Sequence, residues 1–269
     1  MKTILIFILI AAVLVVGFFW LNDSDNAQLT ATSTATTTQN QNAQNNRDTE
    51  ASPVAVRPIS HATMALAWSG ATIITDPVGE TTMFQGMIPD VILITDIHGD
   101  HLSSSTLAAI MGSSTVIVPQ AVKDALPENI KNRTTVLANG QSTTSHQFRI
   151  EAVPMYNVPE AQDSRHVKGR GNGYIIEREG YRVYVAGDTG NTNELRSLRN
   201  IDMAFIPMNL PFTMSVEDAA SAVVAFKPKQ VYPYHYRQQD GFADVNKFKQ
   251  LVDAANIDTD VVLLNWYPE

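Results

Sequence analysis

The run "VILITDIHGDHLSS", residues 91–104, changes character halfway. Val91 to Ile94 is an unbroken β-branched and aliphatic stretch, the composition of a strand buried on both faces. Asp96, His98, Asp100 and His101 then place two carboxylates and two imidazoles within six positions. A strand end needs one Gly or Asp to turn. Two of the chain's six histidines in one turn exceed what solvation of a loop requires. Because Asp96, His98 and Asp100 alternate and His101 directly follows, the turn can aim some donors at one cation and the rest at a neighbouring one.

Two further clusters follow strand-like runs: "AGDTG" (186–190) and "YPYHY" (232–236). Taken alone, Asp188 is as readily a turn cap as a ligand, and His235 reads as a packed, hydrogen-bonded residue. Taken with residues 96–101, Asp188 is placed to bridge two ions and His235 to complete the second, which makes a metal centre the better reading. The chain has no cysteine, so any metal is held by His, Asp, Glu or neutral oxygen, and thiolate chemistry is excluded. A net charge of -8 over 269 residues argues against nucleic acid as a partner.

The chain divides into three parts. Residues 4–21, "ILIFILIAAVLVVGFFWL", follow Lys2, precede Asp23, and are long enough to span a bilayer as a helix. The run lacks a small-residue cleavage site, so residues 1–21 are expected to be a membrane anchor, with a cleaved signal as the alternative. The location expected is a single-pass membrane protein with its domain outside the cytoplasm, secreted if the segment is removed. Residues 22–52 are rich in Thr, Asn, Gln, Ser and Ala and are expected to be a disordered linker. Residues 53–269 hold the folded domain.

Within that domain "ATIITDPVG", "STVIVP", "GYIIEREGYRVYVAG", "IDMAFIPM", "QVYPYHYR" and "DVVLLNW" read as strands, with a hairpin turn at Glu179-Gly180. "LSSSTLAAIM" reads as a helix with a Ser cap. "SVEDAASAVVAF" and "FADVNKFKQLVDAAN" have helical period, the latter with Phe242, Val245, Phe248, Leu251, Val252 and Ala255 on one face. Strands dominate the first half and alternate with helices later. That order fits an α+β arrangement of two sheets with helices outside them.

These motifs resemble the H-x-H-x-D-H signature of the metallo-β-lactamase superfamily of metal-dependent hydrolases. "DPVG", "HVKGRGNGY", "AGDTG", "MNLPFTM" and "YPYHY" follow in the order of the branch similar to L-ascorbate-6-phosphate lactonase and N-acylphosphatidylethanolamine phospholipase D. The resemblance implies a four-layer αββα sandwich with the metals at one edge. It implies His98 as a ligand of a first ion, Asp100, His101 and His235 as ligands of a second, and Asp188 as the bridge. Asp96 stands where the signature has its first His. The His expected after "RIEAVP" is replaced by "MYN", leaving Tyr156 and Asn157 as weaker donors. The first site therefore reads as depleted.

Zinc, one or two ions, is the default for such ligands, and the added oxygen donors leave manganese or iron open. A bound divalent ion acidifies its water and polarises the bond attacked, and Asp100 is the residue expected to orient the nucleophile. The expected reaction is hydrolysis of an ester-type bond, a phosphodiester or a lactone, in a small-molecule or lipid-derived substrate. "SRHVKGRGNGY" offers His166, Lys168 and Arg170, beside Arg165, as an anion-binding loop. Asn157 and His61 are candidate weak or near-site ligands, and His146 is read as structural or exposed. The rival reading is a binding protein that kept the fold and lost turnover.

Overall fold

The computed structural model describes residues 52–267. The expected anchor at 4–21 and the linker up to residue 51 lie outside them. Among the described residues no helix is long and apolar enough to cross a membrane.

The first half builds a six-stranded sheet in chain order. β1 (Val54–Ser60), β2 (Thr63–Trp68) and β3 (Ala71–Thr75) form an antiparallel meander, and β4 (Val91–Leu93), β5 (Thr115–Val118) and β6 (Thr134–Val136) continue it in parallel with β3. The crossovers carry α1 (Ser104–Ile110), α2 (Gln120–Ala125) and α3 (Glu128–Lys131). The second half builds a seven-stranded sheet. β7 (Ser142–Ser145), β8 (Phe148–Met155), β9 (Gly171–Arg178) and β10 (Tyr181–Val185) are antiparallel. β11 (Met203–Pro207), β12 (Gln230–Tyr234) and, after the small hairpin β13 (Arg237–Gln238) and β14 (Gly241–Phe242), β15 (Asp260–Val261) extend it in parallel. Its helices are α4 (Asn193–Arg196), α5 (Val216–Phe226) and α6 (Val245–Ala254).

Strand alternation explains the layers. In β4, Val91 and Leu93 join the core between the sheets, while Ile92 joins Leu107, Val122 and Ile130 beneath the first set of helices. Both faces are apolar because both are covered, as the unbroken aliphatic run anticipates. Between the sheets, Trp68 of β2 meets Phe148 of β8 at 5.0 Å and Tyr181 of β10 at 5.7 Å between ring centres. On the far side of the second sheet Tyr184 meets Phe226 of α5. Helices, sheet, sheet, helices: the expected four layers are present.

Local signals account for the element ends. Ser103 and Ser215 cap α1 and α5, each side chain accepting from the backbone N–H three residues on. Glu179 (φ 53°) and Gly180 (φ 81°) make the two-residue turn joining β9 to β10. Two expectations are corrected. Phe242 belongs to β14, is exposed and packs against Tyr267, because Asp244 caps α6 and starts the helix at Val245. Of "DVVLLNW" only Asp260 and Val261 pair as strand, against Gln230 and Val231.

The chain leaves β10 through Gly187, at φ 63°, where an added Cβ would lie 2.5 Å from Met155 Sδ. Only glycine takes this backbone without strain. Gly187→Ala is expected to cost about 1–3 kcal/mol. For a domain of this size that lowers Tm by roughly 2–4 °C for each kcal/mol, which a thermal melt reads.

Candidate metal centre

The C-terminal ends of parallel strands in both sheets converge on one edge. β3 leads into Asp76, β4 into Asp96–His101, β10 into Asp188, and β12 into His235. Loops leaving such strand ends present side chains from a rigid frame. Five of the chain's six histidines gather here; the sixth, His146, lies at an exposed turn near Asp90.

Two donor clusters form. Asp100, His101, Asp188 and His235 make one, and Asp96, His98 and His166 the other. Asp188 faces both. Its Oδ1 lies 3.2 Å from His101 Nε2 and 3.2 Å from His235 Nε2, while its Oδ2 lies 3.1 Å from His166 Nε2. His101 Nε2 and His235 Nε2 are 3.2 Å apart. Asp100 Oδ2 is 3.4 Å from His235 Nε2 and 4.0 Å from His101 Nε2. In the other cluster His98 Nδ1 is 2.6 Å from Asp96 Oδ2, and His166 Nε2 is 3.8 Å from the same oxygen.

The donor set fits a divalent cation. His98 Nδ1, His166 Nε2 and Asp188 Oδ1 are buried without a hydrogen-bond partner among the described residues, though each faces another donor atom of the clusters. Lone pairs that converge on one point call for a cation. Protons partly supply one. Burial alone would lower the His101 pKa, but Asp188 and Asp76 outweigh it and hold the imidazole well above its ordinary value. Burial would raise Asp188, but His235 and His101 hold it well below the usual carboxylate range.

The surroundings fix each ring. Asp76 is fully buried and its Oδ2 sits 2.8 Å from His101 Nδ1, while Thr95 donates to it from backbone N (2.7 Å) and Oγ1 (2.6 Å). A carboxylate behind a histidine keeps the proton on Nδ1 and leaves Nε2 free to ligate. Asn209 Nδ2 lies 3.0 Å from His235 Nδ1, and its oxygen lacks a partner. With the amide turned end for end, that oxygen accepts the Nδ1–H and His235 Nε2 is likewise free. Tyr267 Oη accepts from the Arg237 backbone N–H at 3.1 Å and lies 2.8 Å from His61 Nδ1. The Asp100 carboxylate only accepts, so His61 Nε2–H donates to its Oδ2 at 3.2 Å, and in the neutral ring Nδ1 then accepts from Tyr267.

The structure groups Asp96, His98, Asp100, His101, Asp188 and His235 as the sequence divides them, with His61 beside Asp100. The remaining candidates are placed as follows. His166, expected on an anion-binding loop, stands where the missing third imidazole would. Asn157 holds it there: Asn157 Oδ1 accepts from the His166 backbone N–H at 2.8 Å and Nδ2 donates to the Phe212 carbonyl at 2.8 Å. Asn157 thus belongs to neither donor cluster. Lys168 is engaged by Glu194 at 2.7 Å and lies over the Tyr156 ring. Arg170 pairs with Asp96 through Nε and Nη2, both at 3.2 Å. Lys168 and Arg170 are thus each engaged by a carboxylate of the chain.

The Asp100–Asp188 side of the centre opens into a cleft of about 160 Å³. His61, Asn209, Phe212, Arg165 and Arg237 line it.

Comparison with known proteins agrees with this geometry. Residues 56–235 match the Beta-lactamase superfamily domain. A UPF0173 metal-dependent hydrolase of Thermococcus onnurineus is 31% identical over 74% of this chain and 92% of its own length. One of Pyrococcus furiosus is 32% identical over 61% and 74% respectively. A solved structure described as a metal-dependent hydrolase from Parabacteroides distasonis is 35% identical, with TM-score 0.69 over 78% of this chain and 92% of that one. Igni18, a metallo hydrolase from Ignicoccus hospitalis, shares the fold at TM-score 0.66 and 23% identity, over 79% and 95%. The chain belongs to the β-lactamase superfamily and, within it, to the UPF0173 metal-dependent hydrolases.

Proposed function

We propose that this metal-dependent hydrolase cleaves an ester-type bond, a phosphodiester or a lactone, in an anionic small-molecule or lipid-derived substrate. Residues 4–21 would anchor it to a membrane, residues 22–52 would tether the domain, and the domain would work outside the cytoplasm. The observation that carries the reaction class is Asp188, with one oxygen toward each donor cluster at the floor of an open cleft.

Asp100, His101, Asp188 and His235 would hold one ion, and Asp96, His98, His166 and Asp188 a second. Zinc suits the imidazoles, and manganese or iron suits the carboxylates. Such an ion supplies, when bound, an acidified water and a polarised acceptor bond. The chain's own groups do the rest. Asp100 faces the cleft and, held by His61, orients the attacking water. Asp188 fixes the spacing of the two halves. The guanidinium of Arg170 draws on both oxygens of Asp96, which favours tighter retention of the ion at His101 and His235.

The test is removal of metal with a chelator, followed by assay against lactones and phosphodiesters before and after adding zinc, manganese or iron. Turnover of at least one ester class should vanish on stripping and return with metal. Turnover unaffected by chelation would contradict the reading. Asn157→Ala is a sharper check on the ion at Asp96, His98 and His166. It frees the His166 backbone and should weaken that ion by about 10- to 100-fold while sparing the one at His101 and His235, as read by metal titration.

A further inference from the structure

We propose that Arg165 and Arg237 form a two-guanidinium clamp at the cleft mouth, which binds an anionic oxygen group, a phosphate or carboxylate, of the substrate; this deepens the hydrolase reading and rests on it. Arg165 comes from the loop between β8 and β9, and Arg237 from the first residue of β13, directly after the His235 turn. Both line the same cleft as Asp100 and Asp188. Both side chains are exposed, and among the described residues neither is paired with a carboxylate. That distinguishes them from Lys168 and Arg170, whose charges are satisfied by Glu194 and Asp96.

Each guanidinium rests on an aromatic face. Arg165 lies 4.6 Å from the centre of the Phe212 ring and Arg237 lies 4.5 Å from that of Tyr267. Stacking restrains the planar group while leaving its N–H edge available for bidentate contact. Tyr267 is itself fixed by His61 and by the Arg237 backbone N–H, so this wall of the cleft is tied to the catalytic end. Ions held by Asp100 and Asp188 would offset the carboxylates on the floor of the cleft, and two guanidiniums at its mouth favour an anion that a chain of net charge -8 otherwise repels. Phe212 adds an apolar surface beside the arginines, which suits an anionic group carried on an organic body rather than a bare ion.

The experiment compares the wild type with Arg165→Gln, Arg237→Gln and the double variant, all matched for metal content. Calorimetry with inorganic phosphate should show Kd rising on the order of tenfold for each arginine removed, as expected for a charge-assisted hydrogen bond. KM for a phosphate- or carboxylate-bearing ester should rise similarly with kcat little changed, while a neutral ester of the same leaving group keeps its KM. Competition by a soluble phosphate monoester, set against phosphatidylcholine vesicles carrying phosphatidic acid, separates a free substrate from a lipid headgroup. Loss of either competitor's effect in the double variant supports the clamp. Unchanged phosphate affinity and unchanged KM for the anionic ester, at normal metal content, would overturn it. A wild type without metal-dependent turnover, but with arginine-dependent phosphate binding, would instead remove the hydrolytic reading and leave the clamp standing.

Discussion

Asp188→Asn should reduce metal-dependent turnover by about a thousandfold or more, with the fold retained. The substitution preserves shape and removes one charge. In the native site Oδ1 meets two imidazole nitrogens at 3.2 Å and Oδ2 meets a third at 3.1 Å. Asparagine offers one oxygen for these two directions, so one end presents an NH₂ group to a nitrogen that should ligate a cation. Both clusters lose a donor at once, and the anionic charge that would offset the ions disappears. A metal's stabilisation of developing charge is worth several kcal/mol, and each 1.36 kcal/mol is about tenfold in rate. Elemental analysis, far-UV circular dichroism and ester turnover on one preparation would read all three effects. Full activity in this variant would refute the bridging role.

Asp76→Asn should weaken metal binding by about 10- to 100-fold, although Asp76 belongs to neither donor cluster. The carboxylate accepts on both oxygens: Oδ1 from the Thr95 backbone, and Oδ2 from Thr95 Oγ1 and His101. An amide fails in either orientation. With NH₂ toward His101, Nδ1 must become the acceptor, the ring proton moves to Nε2, and the ligating lone pair is lost. With NH₂ toward Thr95, a buried backbone N–H faces another donor, at a cost of about 1–3 kcal/mol. A competition titration with a chromophoric chelator checks this. Native affinity in Asp76→Asn would show that the orientation of His101 does not depend on this carboxylate.

The sequence made the fold legible where one residue pattern serves one purpose. Val91–Ile94 is apolar at every position because β4 is covered on both faces, and the Ser caps of α1 and α5 sit where the apolar period begins. The tip of β14 was not legible. Phe242 matches the helical period of α6, yet its ring is drawn to Tyr267 beyond the helix that Asp244 starts. The donor cluster at 96–101 and the grouping around Asp188 could be read from local density of ligating groups.

Asp76 and His166 could not be given roles that way. "TDPVG" is an ordinary turn in sequence, and only the left-handed backbone of Asp76 (φ 44°) turns its carboxylate inward to a histidine on another strand end. His166 reads as part of a basic loop because Arg165, Lys168 and Arg170 flank it. Its Nε2 reaches Asp188 through a backbone hydrogen bond to Asn157 that periodicity does not encode. Arg237 was hidden for the same reason. Its place at the cleft depends on the turn after His235, which itself has φ 49°.

The most direct test of the metal centre is the number of metal equivalents per chain. Wild type, His235→Ala and His166→Ala would be equilibrated with zinc, manganese or iron, dialysed, and measured by elemental analysis. One tightly held equivalent and a weaker second are expected in the wild type, with loss of the tight one in His235→Ala and its retention in His166→Ala. A wild type that retains no metal, or two variants that hold as much as the wild type, would contradict that expectation.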